Sequence, residues 1–164
     1  MDIKITGEYV KLNPIEKNNL SLINIWYCQV DAFGYATGGK NPEKILLRMN
    51  NSDRSSAFIS GINTAKEDNC IGLIAGEFKF TPCPLLWIDT FLVDTRWQRR
   101  HYGTHAFLLL SEYAFRHCHA ERVYVSVFEE NKIGRAFWTS LGFSCARILT
   151  EKNKSIYILE KVIQ

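Results

Sequence analysis

Leu85-Leu86-Trp87-Ile88-Asp89-Thr90-Phe91-Leu92-Val93, continued by Asp94-Thr95-Arg96-Trp97-Gln98-Arg99-Arg100-His101-Tyr102-Gly103, decides how the chain folds. The apolar run that starts after Pro84 has the length and composition of a strand. It breaks into a short basic loop. An amphipathic segment opens at Gly103, with Ala106, Leu109, Leu110, Tyr113 and Ala114 on one helical stripe. The first turn of such a helix carries backbone N–H groups with no intrahelical acceptor, and a loop ending there suits an anion.

Upstream, Met1 to Thr6 alternates like a strand, and Tyr9 to Asn13 alternates until Pro14. Leu20, Leu22, Ile23, Trp26 and Tyr27 share the stripe of a first helix. After Gly38-Gly39, Asn41-Pro42-Glu43 supplies an N-cap, a first-turn proline and a first-turn acid, which predicts a short helix through Ile45 and Met49. Ser56 to Ile62 and Cys70 to Phe80 flank the polar turn Lys66-Glu67-Asp68-Asn69. With Leu85 to Val93 they form a run of three strands, read as an antiparallel meander.

Downstream, the predicted elements are a strand over Arg122 to Val127, a helix with the stripe Ile133, Ala136, Phe137 and Leu141, and strands near Cys145 to Leu149 and Ser155 to Val162. Strands first, then strands alternating with helices, imply an α/β (mixed α+β) fold. Its sheet is mixed and mostly antiparallel, with about seven strands and helices on both faces.

The 164 residues fit one domain, residues 1–164, large enough to bury a sizeable core. A composition of 46% hydrophobic and 23% charged residues is that of a globular chain, without the bias of disorder or fibrous repeats. No apolar run is long enough to span a bilayer and the N-terminus lacks a signal-peptide pattern, so a cytoplasmic location with no membrane partner is expected. Cys28, Cys70, Cys83, Cys118 and Cys145 are odd in number and lack CxxC spacing, which predicts reduced, mostly buried thiols. His117-Cys118-His119 has no second spaced ligand pair, so no metal is expected. A net charge of +3 gives no general case for nucleic acid, although Arg96, Arg99 and Arg100 form one basic knot.

Two motifs carry a family resemblance. Gln98-Arg99-Arg100-His101-Tyr102-Gly103 resembles the Gln/Arg-x-x-Gly-x-Gly/Ala loop of the GNAT superfamily of acyl-CoA-dependent N-acyltransferases, with His101 where the first glycine is usual. The lead-in Val93-Asp94-Thr95-Arg96-Trp97 resembles that of the ribosomal-protein-alanine acetyltransferase branch. Asn131, Trp138 and Leu141-Gly142-Phe143 resemble the family's Asn...Tyr-x-x-Leu-Gly-Phe signature, with tryptophan in place of tyrosine. The resemblance covers the second half of the chain well and the first half only in the order of its elements.

That resemblance implies acetyl-CoA as co-substrate. Its pyrophosphate would lie on Gln98, Arg99, Arg100, His101, Tyr102, Gly103 and Thr104, and its pantetheine arm along the main chain of Phe91, Leu92 and Val93, with Asn131 as a polar partner. A glycine at 103 permits close backbone approach and the arginines add charge. Asn131 also reads as a plain helix N-cap. For the amine proton the candidates are Asp89, a charge inside an apolar strand, and Glu77 on the neighbouring strand; alternation could equally turn Asp89 to solvent. Trp138 stands where the family's tyrosine acid would be, and an indole cannot protonate a thiolate. It reads as a wall of the thioester pocket or as core packing, with Tyr102 and Tyr124 as alternative donors.

The implied activity is acetyl transfer to a primary amine: a protein N-terminus, a polyamine, an aminoglycoside or another small amine. The protein would act as a monomer or homodimer. A rival reading is a catalytically silent module of the same fold that binds CoA or a protein partner. A third is nucleic-acid binding by the arginine knot with Trp97 and Tyr102 as stacking groups.

Overall fold

A computed structural model describes residues 1–29, 56–151 and 154–164. The helix predicted after Asn41-Pro42-Glu43 lies outside them. The strands are β1 (Ile5–Thr6), β2 (Val10–Pro14), β3 (Ala57–Thr64), β4 (Cys70–Lys79), β5 (Leu85–Val93), β6 (Arg122–Phe128), β7 (Ser144–Glu151) and β8 (Lys154–Val162). The α-helices are α1 (Leu20–Cys28), α2 (Tyr102–Cys118) and α3 (Lys132–Ser140). All eight strands join one sheet in the order β1-β2-β3-β4-β5-β6-β8-β7, in keeping with the expected sheet of about seven strands, and the short β1 pairs with β2. Every pairing is antiparallel except β5 with β6. That parallel pair is forced by α2, which carries the chain back across the sheet between them.

Helices cover both faces. On one, Ala106, Phe107, Leu110 and Ala114 of α2 pack on Phe58, Ile74, Phe78, Leu86 and Ile88. On the other, Ile23, Trp26 and Tyr27 of α1 pack on Leu73 and Leu92. β5 thus sends Leu86 and Ile88 to the α2 side but Leu92 to the α1 side. The change of phase has a local cause. Ala75 pairs with Thr90 while Gly76 pairs with Ile88, so Asp89 is an extra residue, a β-bulge. Beyond it Phe91 and Val93 pack against the α2-side core.

α3 differs from its predicted stripe. Ile133 is 83% exposed and Ala136 is exposed, while Trp138 is 6% exposed. The inward arc is Gly134, Phe137, Trp138 and Leu141, rotated by one residue, because the large indole takes the core position. Gly142, at φ +86°, ends the helix in a left-handed turn, and Phe143 N–H then donates to the Trp138 carbonyl at 3.1 Å as its ring enters the core. The cysteines also differ from expectation: all are unpaired, but Cys28, Cys83 and Cys145 are exposed and only Cys118 is buried.

β4 and β5 approach closely at the bulge. A Cβ on Gly76 would strike the Trp87 carbonyl oxygen, backbone that cannot swing aside. Gly76→Ala is therefore expected to cost about 1–3 kcal/mol and to lower Tm by roughly 2–12 °C. A thermal melt that leaves Tm unchanged would mean that the two strands can part at this point.

Candidate active site

Pairing between β5 and β6 runs from Leu85–Arg122 to Ile88–Val125 and stops. Both strands continue, β5 through Asp89 to Val93 and β6 through Ser126 to Phe128. Their facing edges diverge from the bulge onward and leave a wedge in the middle of the sheet. Each strand stays bonded on its other side, Phe91 to Val93 with β4 and Ser126 to Phe128 with β8. The wedge therefore presents backbone polar groups that the sheet itself does not use.

The loop from Asp94 to His101 leads from the end of β5 into α2. Asp94, 6% exposed, caps the 3-10 turn Thr95–Trp97: its Oδ1 accepts from Arg96 N and Nε, both at 3.0 Å. Its Oδ2 accepts from an Arg96 terminal guanidinium nitrogen at 3.0 Å and from the Trp26 indole N–H at 2.8 Å. The Arg96 guanidinium first, then the Trp26 indole, hold the Asp94 carboxyl down at about 2, against burial, which raises it. One carboxylate thus ties the end of β5 to α1 and engages one arginine of the basic knot. Gln98 Nε2 donates to the Val93 carbonyl at 2.8 Å and pins the middle of the loop to the strand. That carbonyl is one that the resemblance offered to a pantetheine arm.

Arg99 and His101 both adopt left-handed backbone, at φ 58° and 62°. His101 at φ 62°, ψ 3° precedes helical Tyr102, and a left-handed residue followed by a right-handed one turns successive N–H groups to one side, the backbone geometry of a nest. No side chain caps that end of α2. The missing glycine is thus explained: the loop keeps the conformation that favours glycine, and histidine adopts it under strain. Gly103 has no such requirement. A Cβ there would meet Phe137 at 3.4 Å and Phe91 at 3.5 Å, which is ordinary contact. Arg99, Arg100 and His101 are exposed around this turn and Tyr102 and Thr104 partly buried. The Arg100 guanidinium lies 5.7 Å over the Trp97 ring, and Trp97 meets Tyr102 edge-on at 5.6 Å, so both aromatics proposed as stacking groups are engaged with neighbours.

Asn131 accepts from Gly134 N at 2.8 Å through Oδ1 and caps α3. With Oδ1 so engaged, Nδ2 is the atom left to donate to a ligand. Trp138 meets Phe91, Phe107, Phe137 and Phe143 at centroid distances of 5.0–5.6 Å, all steeply inclined, and lies in the aromatic core. It backs the wedge through Phe91. Asp89 occupies the bulge and is partly buried. Glu77 accepts from Ser56 Oγ at 3.2 Å and sits in register with Trp87. Tyr124, in register with Trp87 on β6, lies one rung from the apex of the wedge, and the Glu160 carboxylate beside it pushes its phenol above the ordinary value. The role of Asp94 has no local signal in the sequence, because its partner Trp26 lies 68 positions away.

A parallel strand pair that splays at a bulge, with an uncapped helix start at its mouth, defines a class. The chain belongs to the acetyltransferase (GNAT) family, whose profile matches residues 23–143. No curated protein matches it in sequence. Solved structures with the same fold include a ribosomal-protein-S5-alanine acetyltransferase from Vibrio fischeri, 14% identical, with TM-score 0.75 over 98% of this chain and 97% of that one. Spermidine N-acetyltransferase from Vibrio cholerae, in complex with CoA and spermine, is 14% identical with TM-score 0.77 over 95% and 96%. A GNAT-family acetyltransferase from Bacillus anthracis is 14% identical with TM-score 0.79 over 98% of both chains. Among the described residues no helix is long and apolar enough to cross a membrane.

Asp94 gives a pH-dependent signature. Its folded value of about 2 lies below the unfolded value of about 3.9, so its contribution is complete above pH 4 and is lost as pH falls through about 2. Asp94→Asn should lower stability at neutral pH by about 2 kcal/mol, less the screening of the exposed guanidinium, with the difference from the parent shrinking below pH 4. Urea midpoints from pH 2.5 to 7 test this, and a pH-independent difference would exclude the charge as its source.

His101→Gly should remove about 1–2 kcal/mol of left-handed strain and give back about 0.5–1 kcal/mol in unfolded-chain entropy. The net gain is about 0–1.5 kcal/mol, so Tm should rise by up to about 6 °C, whereas His101→Val should melt lower than the parent. A fall in Tm for the glycine variant would show that the imidazole contributes contacts that outweigh the strain.

Proposed function

We infer that this protein transfers the acetyl group of acetyl-CoA to a primary amine by direct attack. The observation that carries the reading is the wedge between β5 and β6, with the nest at His101 and Tyr102 at its mouth. A CoA pyrophosphate suits successive N–H groups flanked by Arg99 and Arg100. A pantetheine arm, with its two amides, suits the unused backbone edge at Phe91 and Leu92, while Gln98 holds the Val93 carbonyl and keeps the loop against the strand. Asn131 Nδ2 supplies a further donor near the far wall.

In the reaction the neutral amine nitrogen attacks the thioester carbonyl carbon; the new C–N bond forms and the C–S bond breaks. The proton of the ammonium passes to Asp89 or Glu77, directly or through water. The CoA thiolate takes its proton from water, since the indole at 138 has none to give. Tyr124 is the phenol nearest the apex and remains protonated at neutral pH, which makes it a second source. Spermidine, the acceptor named for one structure of the same fold, presents such an amine.

The silent-module reading has two observations of its own: His101 in place of a glycine, and the family's tyrosine position filled by a buried indole. One experiment separates the readings. Acetyl-CoA at about a hundred times its Kd should stabilise the fold by roughly 2.7 kcal/mol, a Tm rise of about 5–11 °C, and free thiol should appear when a primary amine is added. A Tm rise without thiol release on any amine of a broad panel would favour the module. No Tm rise in a folded protein would exclude both.

A further inference from the structure

A cavity of about 360 Å³ opens on the sheet, lined by Lys79, Leu85, Trp87, Tyr124, Arg147 and Ile158 among others. It lies on the face that α1 covers elsewhere, because Leu73, Glu77 and Lys79 alternate onto one side of β4 and Leu73 packs on α1. Its position relative to the wedge follows from register. Trp87 pairs with Tyr124 one rung below the last bonded rung of β5 and β6. Ile158 pairs with Ser126, the first residue of β6 past that rung, and with Arg147 on β7. The cavity therefore reaches from the bonded part of the strand pair to the level at which the wedge opens.

The lining has a definite chemistry. Trp87 and Tyr124 lie nearly parallel, 13° apart with centroids at 5.8 Å, and Lys79 Nζ lies 5.3 Å from the centre of the Trp87 ring. Ile158 and Leu85 add apolar surface. Lys79 and Arg147 contribute two cations to the lining and form no ion pair among the described residues. Of the neighbouring carboxylates, Glu160 is paired with Arg122 at 3.2 Å, while Glu77 accepts only from the neutral Ser56 hydroxyl at 3.2 Å, so the two cations outnumber the one carboxylate that has no cationic partner among the described residues. A flat apolar body suits the rings, an anionic group suits the two cations, and a polycation would meet like charge.

The geometry points to this cavity as the acceptor site, and to the acceptor as a small primary alkyl amine that carries an aromatic ring and a carboxylate, not a polyamine. The assignment rests on the acetyl-transfer reading: the amine would stand at the wedge apex, near Asp89, while the ring and carboxylate occupy the cavity. Polycationic acceptors such as spermidine are disfavoured by Lys79 and Arg147, whatever the related fold of a spermidine acetyltransferase suggests.

Three probes test it: 3-(aminomethyl)benzoate, benzylamine, which lacks the carboxylate, and spermidine. The intact chain with acetyl-CoA should give kcat/KM highest for the carboxylated amine and lowest for spermidine. In Lys79→Met and Arg147→Met the ratio of kcat/KM for 3-(aminomethyl)benzoate to that for benzylamine should fall about ten-fold, the size of one lost charge-assisted contact. Arg147→Lys should restore part of the ratio, which a merely structural role would not produce. A higher kcat/KM for spermidine, or a ratio unmoved in both methionine variants, overturns the assignment.

Calorimetric titration of the three probes into the protein without acetyl-CoA separates this idea from the reading beneath it. Preferential binding of the carboxylated amine, lost in Lys79→Met, upholds the cavity even where acetyl-CoA gives no Tm rise and the transfer reading fails. Equal or absent binding of 3-(aminomethyl)benzoate and benzylamine, with the acetyl-CoA response intact, overturns the cavity alone.

Discussion

One extra residue in β5 governs the middle of this molecule. Because Ala75 and Gly76 on β4 face Thr90 and Ile88, Asp89 has no place in the ladder, and the strand must bend and change phase. Up to Ile88 the strand serves the α2-side core and bonds to β6; from Phe91 on its even and odd positions exchange faces. The same kink ends the parallel pairing. A phase change, a wedge and a partly buried carboxylate at its apex are three results of a single insertion, and the close approach of Gly76 to the Trp87 carbonyl keeps the bulge in place.

The second constraint is electrostatic. Asp94 sits where β5 ends, and four donor groups converge on its two oxygens: the Arg96 backbone, two guanidinium nitrogens and the Trp26 indole. A buried carboxylate is tolerated only with such partners. Its effect is mechanical as well as energetic, since the loop that leads to the left-handed residues Arg99 and His101 is anchored at its start by Asp94 and, just before them, by Gln98 on the Val93 carbonyl. α1, on the opposite side of the sheet from α2, is joined to the same anchor through Trp26. The arginine knot that stood out in the sequence is therefore divided: all three are exposed, but only Arg96 is held by Asp94.

The two departures from the family pattern have different physical meanings. At 101 the backbone still takes the left-handed turn, so the substitution changes side chain and strain while the loop path is kept. At 138 the aromatic shape is kept and the hydroxyl is gone, and the indole belongs to a cluster of four phenylalanine rings. In the proposed reaction the first change would bear on an anion at the loop and the second on the proton of a leaving thiolate.

The amino-acid sequence determined what local physics can encode. β5 runs from Leu85 to Val93 as its apolar run and the flanking Pro84 and Asp94 require, and Asn131 and Gly142 begin and end α3 through their own cap and turn chemistry. The stripe of α2 was legible because a seventeen-residue helix repeats its signal several times. α3 has nine residues, and two stripes one position apart fit it equally well; only the packing of Trp138 against Phe91 and Phe107 chose between them. The bulge at Asp89, the end of pairing at Ile88, the hydrogen bond from Trp26 to Asp94 and the cavity between Lys79 and Arg147 have no trace in the order of residues. Each depends on which groups from distant parts of the chain come into register, and register is fixed by the whole sheet closing around its core, not by any one segment of it.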